Sequence, residues 1–203
     1  GGPTFALKRA VDEGVVAGPR LFPSGAFISQ PSGHGDFRTR HEVPRDPCSH
    51  LSHIEIMGGS AIADGVPEVL RAEREQLMLG ASQIKLTAGG GLASSYDPID
   101  VTEYTETEMR AAVEEAENWG TYVMVHAYTP RAVRQALKVG VRCIDHGHLL
   151  DDATAELIAE RDALMKERAD LADLLESDRR QWKQVGTELE AIRKQFGQHT
   201  LLG

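Results

Sequence analysis

The chain has 203 residues, 41% of them apolar and 26% charged, enough for one sizeable core or for one core with an appendage. Its formal net charge of −9 argues against nonspecific binding to nucleic acid or to an anionic membrane, both of which favour basic surfaces. No apolar run reaches membrane-spanning length, and no charged-then-apolar leader precedes Phe5.

Gly1-Gly2-Pro3-Thr4 leads straight into a helix pattern, which suggests a missing beginning. That helix is expected from Pro3 to Asp12 and ends at Gly14, followed by an extended stretch from Leu21 to Ser29. A long loop, Gln30 to Gly65, holds Pro31, Pro44, Pro47 and the histidines His34, His41, His50 and His53. Loops of this length are usually functional or disordered. Pro67 starts a helix that Gly80 stops, the Pro-first, Gly-last asymmetry of helix ends. A strand, Gln83 to Thr87, then runs into Gly89-Gly90-Gly91, read as a flexible turn. Thr105 and Glu108 form a capping box for a helix through Asn118, ended by Gly120.

A second strand, Tyr122 to Tyr128, follows at once. Thr129 caps the next helix with Pro130 in its first turn, Gly140 closes it, and a third strand runs from Val141 to Gly147. Asp151 and Asp152 open one more helix, with negative charge where the helix dipole favours it. Strands alternating with helices make a parallel βα array.

The character changes near Asp162. Residues 162–203 contain no proline and carry eight acidic and seven basic side chains. Leu164, Leu171, Leu175, Trp182, Val185, Leu189, Ile192 and Phe196 recur at spacings of seven, four or three, a coiled-coil-like pattern expected to break near Ser177-Asp178. The expected organisation is therefore residues 1–161 as one domain and 162–203 as a helical tail. Cys48 and Cys143 lack a short metal or redox spacing and are expected as free thiols in a reducing, cytoplasmic setting.

The three strands centred on Lys85, His126 and His146 each deliver one metal-capable side chain. Such a group is costly to bury without a partner, and three in succession point to a shared one, a metal centre. Either histidine alone is better explained by a hydrogen bond to backbone; the pair at neighbouring strand ends favours ligation. Two readings of Lys85 stay open. It covers apolar surface with its stem, or it points inward, since alternation sends Ile84 and Leu86 to the opposite face.

Gly18-Pro19-Arg20, Gly33-His34-Gly35-Asp36, Gly80-Ala81-Ser82-Gln83-Ile84-Lys85, His126-Ala127-Tyr128 and Asp145-His146-Gly147-His148-Leu149-Leu150 resemble the central part of the amidohydrolase superfamily, its prolidase-like enzymes above all. The resemblance implies an α/β fold: part of a TIM-type (β/α) barrel with parallel strands, followed here by a C-terminal helical hairpin or coiled coil. It implies a metal-dependent hydrolase of amide bonds in dipeptides or N-acyl amino acids. The lysine matching Lys85 would be carboxylated and bridge two divalent ions, usually zinc, and the histidines matching His126 and His146 would bind the second ion. A metal-activated water would attack the amide carbonyl, with Tyr128 and His34 holding the substrate carboxylate or the developing oxyanion.

A complete member also has a His-x-His pair on its first strand and an aspartate on its eighth. Neither is found in this sequence, so the segment is expected to be truncated at both ends, without one metal's ligands and the usual general base. Glu167 to Leu171, Ser177 to Lys183, Glu188 to Lys194 and Phe196 to Gly203 resemble the coiled-coil arm of DNA gyrase or topoisomerase IV, which makes a chimeric or fused chain a second expectation. An alternative function is a non-catalytic interaction protein. The partners expected are a small amide or dipeptide substrate and a further copy of the chain, met through barrel edges or tail helices; nucleic acid and membrane are not expected.

Overall fold

The computed structural model describes residues 2–40 and 51–199; Cys48, His41 and His50 lie outside the described residues. It contains α1 (Gly2–Asp12), β1 (Phe27–Ser29), α2 (His53–Ile56), β2 (Ser60–Ile62), α3 (Gly65–Met78), β3 (Ile84–Thr87), α4 (Glu106–Asn118), β4 (Val123–Ala127), α5 (Pro130–Val139), β5 (Cys143–His146) and α6 (Asp152–His199). The five strands form one parallel sheet in the order β2-β1-β3-β4-β5. This is a partial TIM-type barrel followed by a long helix. Two compact units divide after Thr154.

Helix punctuation follows the local chemistry. Thr105 accepts the Glu108 N–H while Glu108 reaches back to the Thr105 N–H, so α4 starts on a closed capping box. Thr129 caps α5 ahead of Pro130, and Gly140 ends it at φ +102°, a left-handed position that a Cβ disfavours. Asp151 accepts the Thr154 N–H at 2.8 Å and so caps α6.

The core lies between the sheet and one layer of helices. Ile28, Ile84, Leu86, Val123 and Val125 are almost wholly buried, as are Met109, Ala112 and Ala116 of α4 and Ala132, Val133 and Ala136 of α5. Their spacing of three and four puts each set on one helix face, and alanine lets the helices approach the sheet closely. Each large buried side chain contributes roughly 1.5–3 kcal/mol.

Two expectations are corrected. The stretch Gln30 to Gly65 is not loop throughout: it contains α2 and β2, the latter pairing with β1 as an end strand of the sheet. β2 is only Ser60-Ala61-Ile62, too short to display a period. The tail shows no break at Ser177-Asp178, because α6 is continuous from Asp152 to His199. Serine and aspartate have modest helix propensities but neither blocks a helix as proline does. Along α6, Leu164, Leu171, Leu174, Leu175, Trp182, Val185, Leu189 and Ile192 are all exposed. No helix among the described residues is long and apolar enough to cross a membrane.

Candidate metal centre

The parallel register decides which strand residues share a face. Lys85 pairs with Met124 and Met124 with Cys143; two residues on, Thr87 pairs with His126 and His126 with Asp145. Paired residues point the same way and successive ones point opposite ways. Lys85, Thr87, His126 and Asp145 therefore stand on one face, and Ile84, Leu86, Val123 and Val125 on the other, among the helices. Thr87 Oγ1 donates to Ser29 Oγ at 3.2 Å, which carries the polar row on to β1.

His146 reaches the same region by another route. Its register partner is Ala127, so an extended backbone would send it to the helix side. Its φ of +77° ends the strand instead, and its ring lies 4.7 Å from that of His126. A left-handed residue other than glycine costs roughly 1–3 kcal/mol and such residues gather at functional sites. Ser32 (φ +60°), two residues before His34, and Tyr104 (φ +55°), next to Glu103, share this conformation.

Five rings meet here. His34 stacks on His126 with centroids 3.9 Å apart and planes 6° apart. Tyr128 meets His126 edge-on at 5.0 Å and stacks on His146 at 5.0 Å. His148 lies 5.9 Å from Tyr128 and 6.0 Å from His146. The structure thus brings together His34, His126, Tyr128 and His146, all singled out in the sequence. Lys85 is on the same face, and its Nζ is paired with Asp145 Oδ2.

The electrostatics favour the neutral form of two of these imidazoles, His126 and His146. Burial, helped by the nearby His34, pushes His126 down to about 4, and burial with the Lys85 charge pushes His146 down as well. The Gly90 carbonyl can only accept, so the 3.1 Å contact to His126 Nε2 puts a proton on that nitrogen and leaves Nδ1 as the lone pair. A neutral imidazole whose second nitrogen donates to a carbonyl is the usual form of a histidine ligand. His126 and His146 therefore fit a divalent ion. Lys85 as an ammonium is a donor only and pairs with Asp145. Among the described residues no three His, Cys, Asp or Glu side chains converge enough to hold an ion by themselves.

Several participants escaped the sequence. Asp145 had no signal, since only the register of β5 against β4 places it beside His126. His148 had one in the His146-Gly147-His148 spacing. The triglycine, expected as a flexible turn, is buried and packed: Gly90 supplies the His126 acceptor, and a Cβ at position 91 would lie 2.0 Å from His34 ring atoms. Asp97 and Glu103, buried carboxylates of the following loop, bond to His34 and had no sequence signal. Burial, with Asp97 adding, pushes Glu103 up to about 7 against the Thr87 hydroxyl and the His34 N–H. Asp36, quoted with His34 in one motif, holds the loop by accepting from the Ser32 N–H and the Arg38 guanidinium.

The amidohydrolase family profile matches residues 3–194. Ochratoxinase of Aspergillus niger is 32% identical over 167 residues, which covers 78% of this chain and 34% of the relative. The crystal structure of a prolidase complexed with N-methylphosphonate-L-proline is 49% identical with a TM-score of 0.71, covering 79% of this chain and 38% of that one. That of a Xaa-Pro dipeptidase with methionine bound in the active site is 30% identical with a TM-score of 0.65, covering 77% and 37%. The chain spans about a third of the length of the curated relatives it matches.

Proposed function

Since the chain belongs to the amidohydrolase family, we propose that it is part of a metal-dependent hydrolase of amide bonds in dipeptides or N-acyl amino acids. One observation carries the reading: two neutral imidazoles, His126 and His146, meet at the carboxyl ends of neighbouring parallel strands, the face where such barrels place their chemistry. The prolidase, dipeptidase and ochratoxinase relatives support the substrate class.

His126 and His146 would hold a divalent ion, zinc by this reading, with Lys85 joining once its amine is carboxylated and released from Asp145. When bound, the ion supplies Lewis acidity toward the amide carbonyl and an activated water. His126 keeps its Nε2 proton on Gly90 and so presents one fixed nitrogen. Tyr128, stacked on His146, would use its hydroxyl to bind the substrate carboxylate or the developing oxyanion, and His34, stacked on His126, would share that role. His148 extends the ring wall beyond Tyr128. A cytoplasmic setting goes with this reading, as the free thiol of Cys143 suits a reducing compartment.

The test is hydrolysis of a panel of N-acyl amino acids and dipeptides by zinc-loaded protein beside its His126→Ala variant. Turnover that disappears in the variant supports the reading; no turnover by either removes the enzyme claim. The exposed apolar residues of α6 favour a second reading for the tail, in which residues 163–203 pair with another copy or a partner helix, as their resemblance to a topoisomerase arm suggests. Concentration-dependent helicity of a 163–203 peptide would support it, and a monomeric, unstructured peptide would count against it.

A further inference from the structure

We propose that Asp97 is a positioning residue for His34, fixing its ring as the Nδ1–H tautomer and leaving Nε2 as the acceptor that meets the substrate. Its meaning for catalysis rests on the hydrolase reading above. The loop after β3 folds back on itself to make this possible. Gly90 N–H donates to the Val101 carbonyl at 3.1 Å, Glu103 N–H to the Ala88 carbonyl at 2.9 Å, and Val101 N–H to the Pro98 carbonyl at 3.1 Å. The fold-back carries both Asp97 and Glu103 to the His34 loop.

The Asp97 side chain is 1% exposed. Its Oδ2 accepts the Gly91 N–H at 2.8 Å and lies 3.1 Å from His34 Nδ1. A carboxylate oxygen only accepts, so Nδ1 must be the nitrogen that carries the proton. Ser94 Oγ also lies 3.0 Å from Nδ1, but a hydroxyl donates or accepts and so imposes no tautomer. The ring has little freedom to evade this choice. Gly91 backs it so closely that a side chain there would overlap Cε1 and Nδ1, and His126 stacks on it at 3.9 Å. The backbone is fixed too, since His34 N–H donates to Glu103 Oε1 at 2.6 Å and Gly35 N–H to Ser29 Oγ at 3.0 Å. The role of His34 narrows accordingly: its Nε2 receives a hydrogen bond or a proton from substrate, and it meets an anion only after taking that proton.

Nitrogen-15 NMR of the labelled protein reads the tautomer directly, with His34 assigned by its loss in His34→Gln. The expected wild-type spectrum shows a protonated Nδ1 and a bare Nε2. In Asp97→Ala, which removes the carboxylate that faces Nδ1, the Nδ1–H fraction falls at least several-fold, while Ser94→Ala leaves it unchanged. A wild-type Nε2–H form, or a tautomer that follows Ser94 and ignores Asp97, overturns the proposal; the wild-type spectrum alone decides if a variant fails to fold. In hydrolysis, Asp97→Ala is expected to lower kcat more than it raises KM. A wild-type protein without turnover but with the expected spectra refutes the hydrolase reading and leaves the Asp97–His34 pairing in place. Normal turnover with spectra insensitive to Asp97 refutes the pairing alone.

Discussion

Residues 84–146 and residues 155–199 treat their large side chains in opposite ways. In the first segment Ile84, Leu86, Val123 and Val125 are buried on one sheet face, which leaves the other face to Lys85, Thr87, His126 and Asp145. In the second, Leu171, Leu175, Trp182, Val185, Leu189 and Ile192 lie on one helix and remain exposed. Both carry a regular apolar period, yet only one converts it into a core. A strand period tells where a neighbour's residues fall, because register couples strands. A helix period names a face and says nothing about what covers it.

The largest effect expected on this contrast comes from the strand ends. His126→Ala or His146→Ala should lower divalent metal affinity by more than the roughly 10–100-fold typical of outer-shell partners, measured by titration with zinc. The α6 variant Leu175→Ala should leave it unchanged. Chemical denaturation sharpens the comparison next. Leu86→Ala is expected to cost about 2–5 kcal/mol through transfer and cavity terms, whereas Leu175→Ala should stay within about 0.5 kcal/mol, as at other exposed positions. A loss at Leu175 as large as that at Leu86 would mean that α6 is covered in solution.

Glu73 of α3 offers a pH test of the sheet-containing region. It is fully buried, neither carboxyl oxygen has a partner among the described residues, and burial with the Glu115 charge pushes it up to about 8 from an ordinary 4.5. The folded state therefore holds the proton that the unfolded state releases, so this contribution is complete below pH 4.5 and is lost as pH rises through 8. Glu73→Gln should match the wild type near pH 4 and exceed it by a few kcal/mol above pH 8, since each tenfold change in proton affinity is worth about 1.4 kcal/mol. Melting at the two pH values reads the difference, and equal pH slopes would contradict the buried acid.

Two glycines give the smallest and cleanest contrast. Gly91→Ala places a methyl group on the His34 ring and should reduce hydrolysis while metal content is kept. Gly186→Ala on α6 meets nothing within 4 Å and should stabilise the helix by about 0.5–1 kcal/mol. Activity assays beside thermal melts separate the two outcomes.

What could be read from the sequence was what local chemistry dictates. Thr105 with Glu108, Thr129 with Pro130, and Gly14, Gly80, Gly120 and Gly140 punctuate helices within a few residues, so the βα array from β3 to β5 was legible. β2 was not, because a three-residue end strand is specified by its neighbour β1 and has no period of its own. In the site, the placing of His34, His126, Tyr128 and His146 together agrees with motifs quoted from the chain. Asp145 was missed because its role depends on register with His126. Asp97 and Glu103 were missed because a fold-back of the loop, a tertiary event, brings them to His34.

Metal content is the most direct test of the central claim that His126 and His146 form a metal centre. Protein purified and dialysed against a trace of zinc should retain bound divalent metal, and the His126→Ala, His146→Ala double variant, folded by circular dichroism, should retain none. Equal metal content in the two, or none in the wild type at any zinc concentration that leaves it soluble, would contradict it.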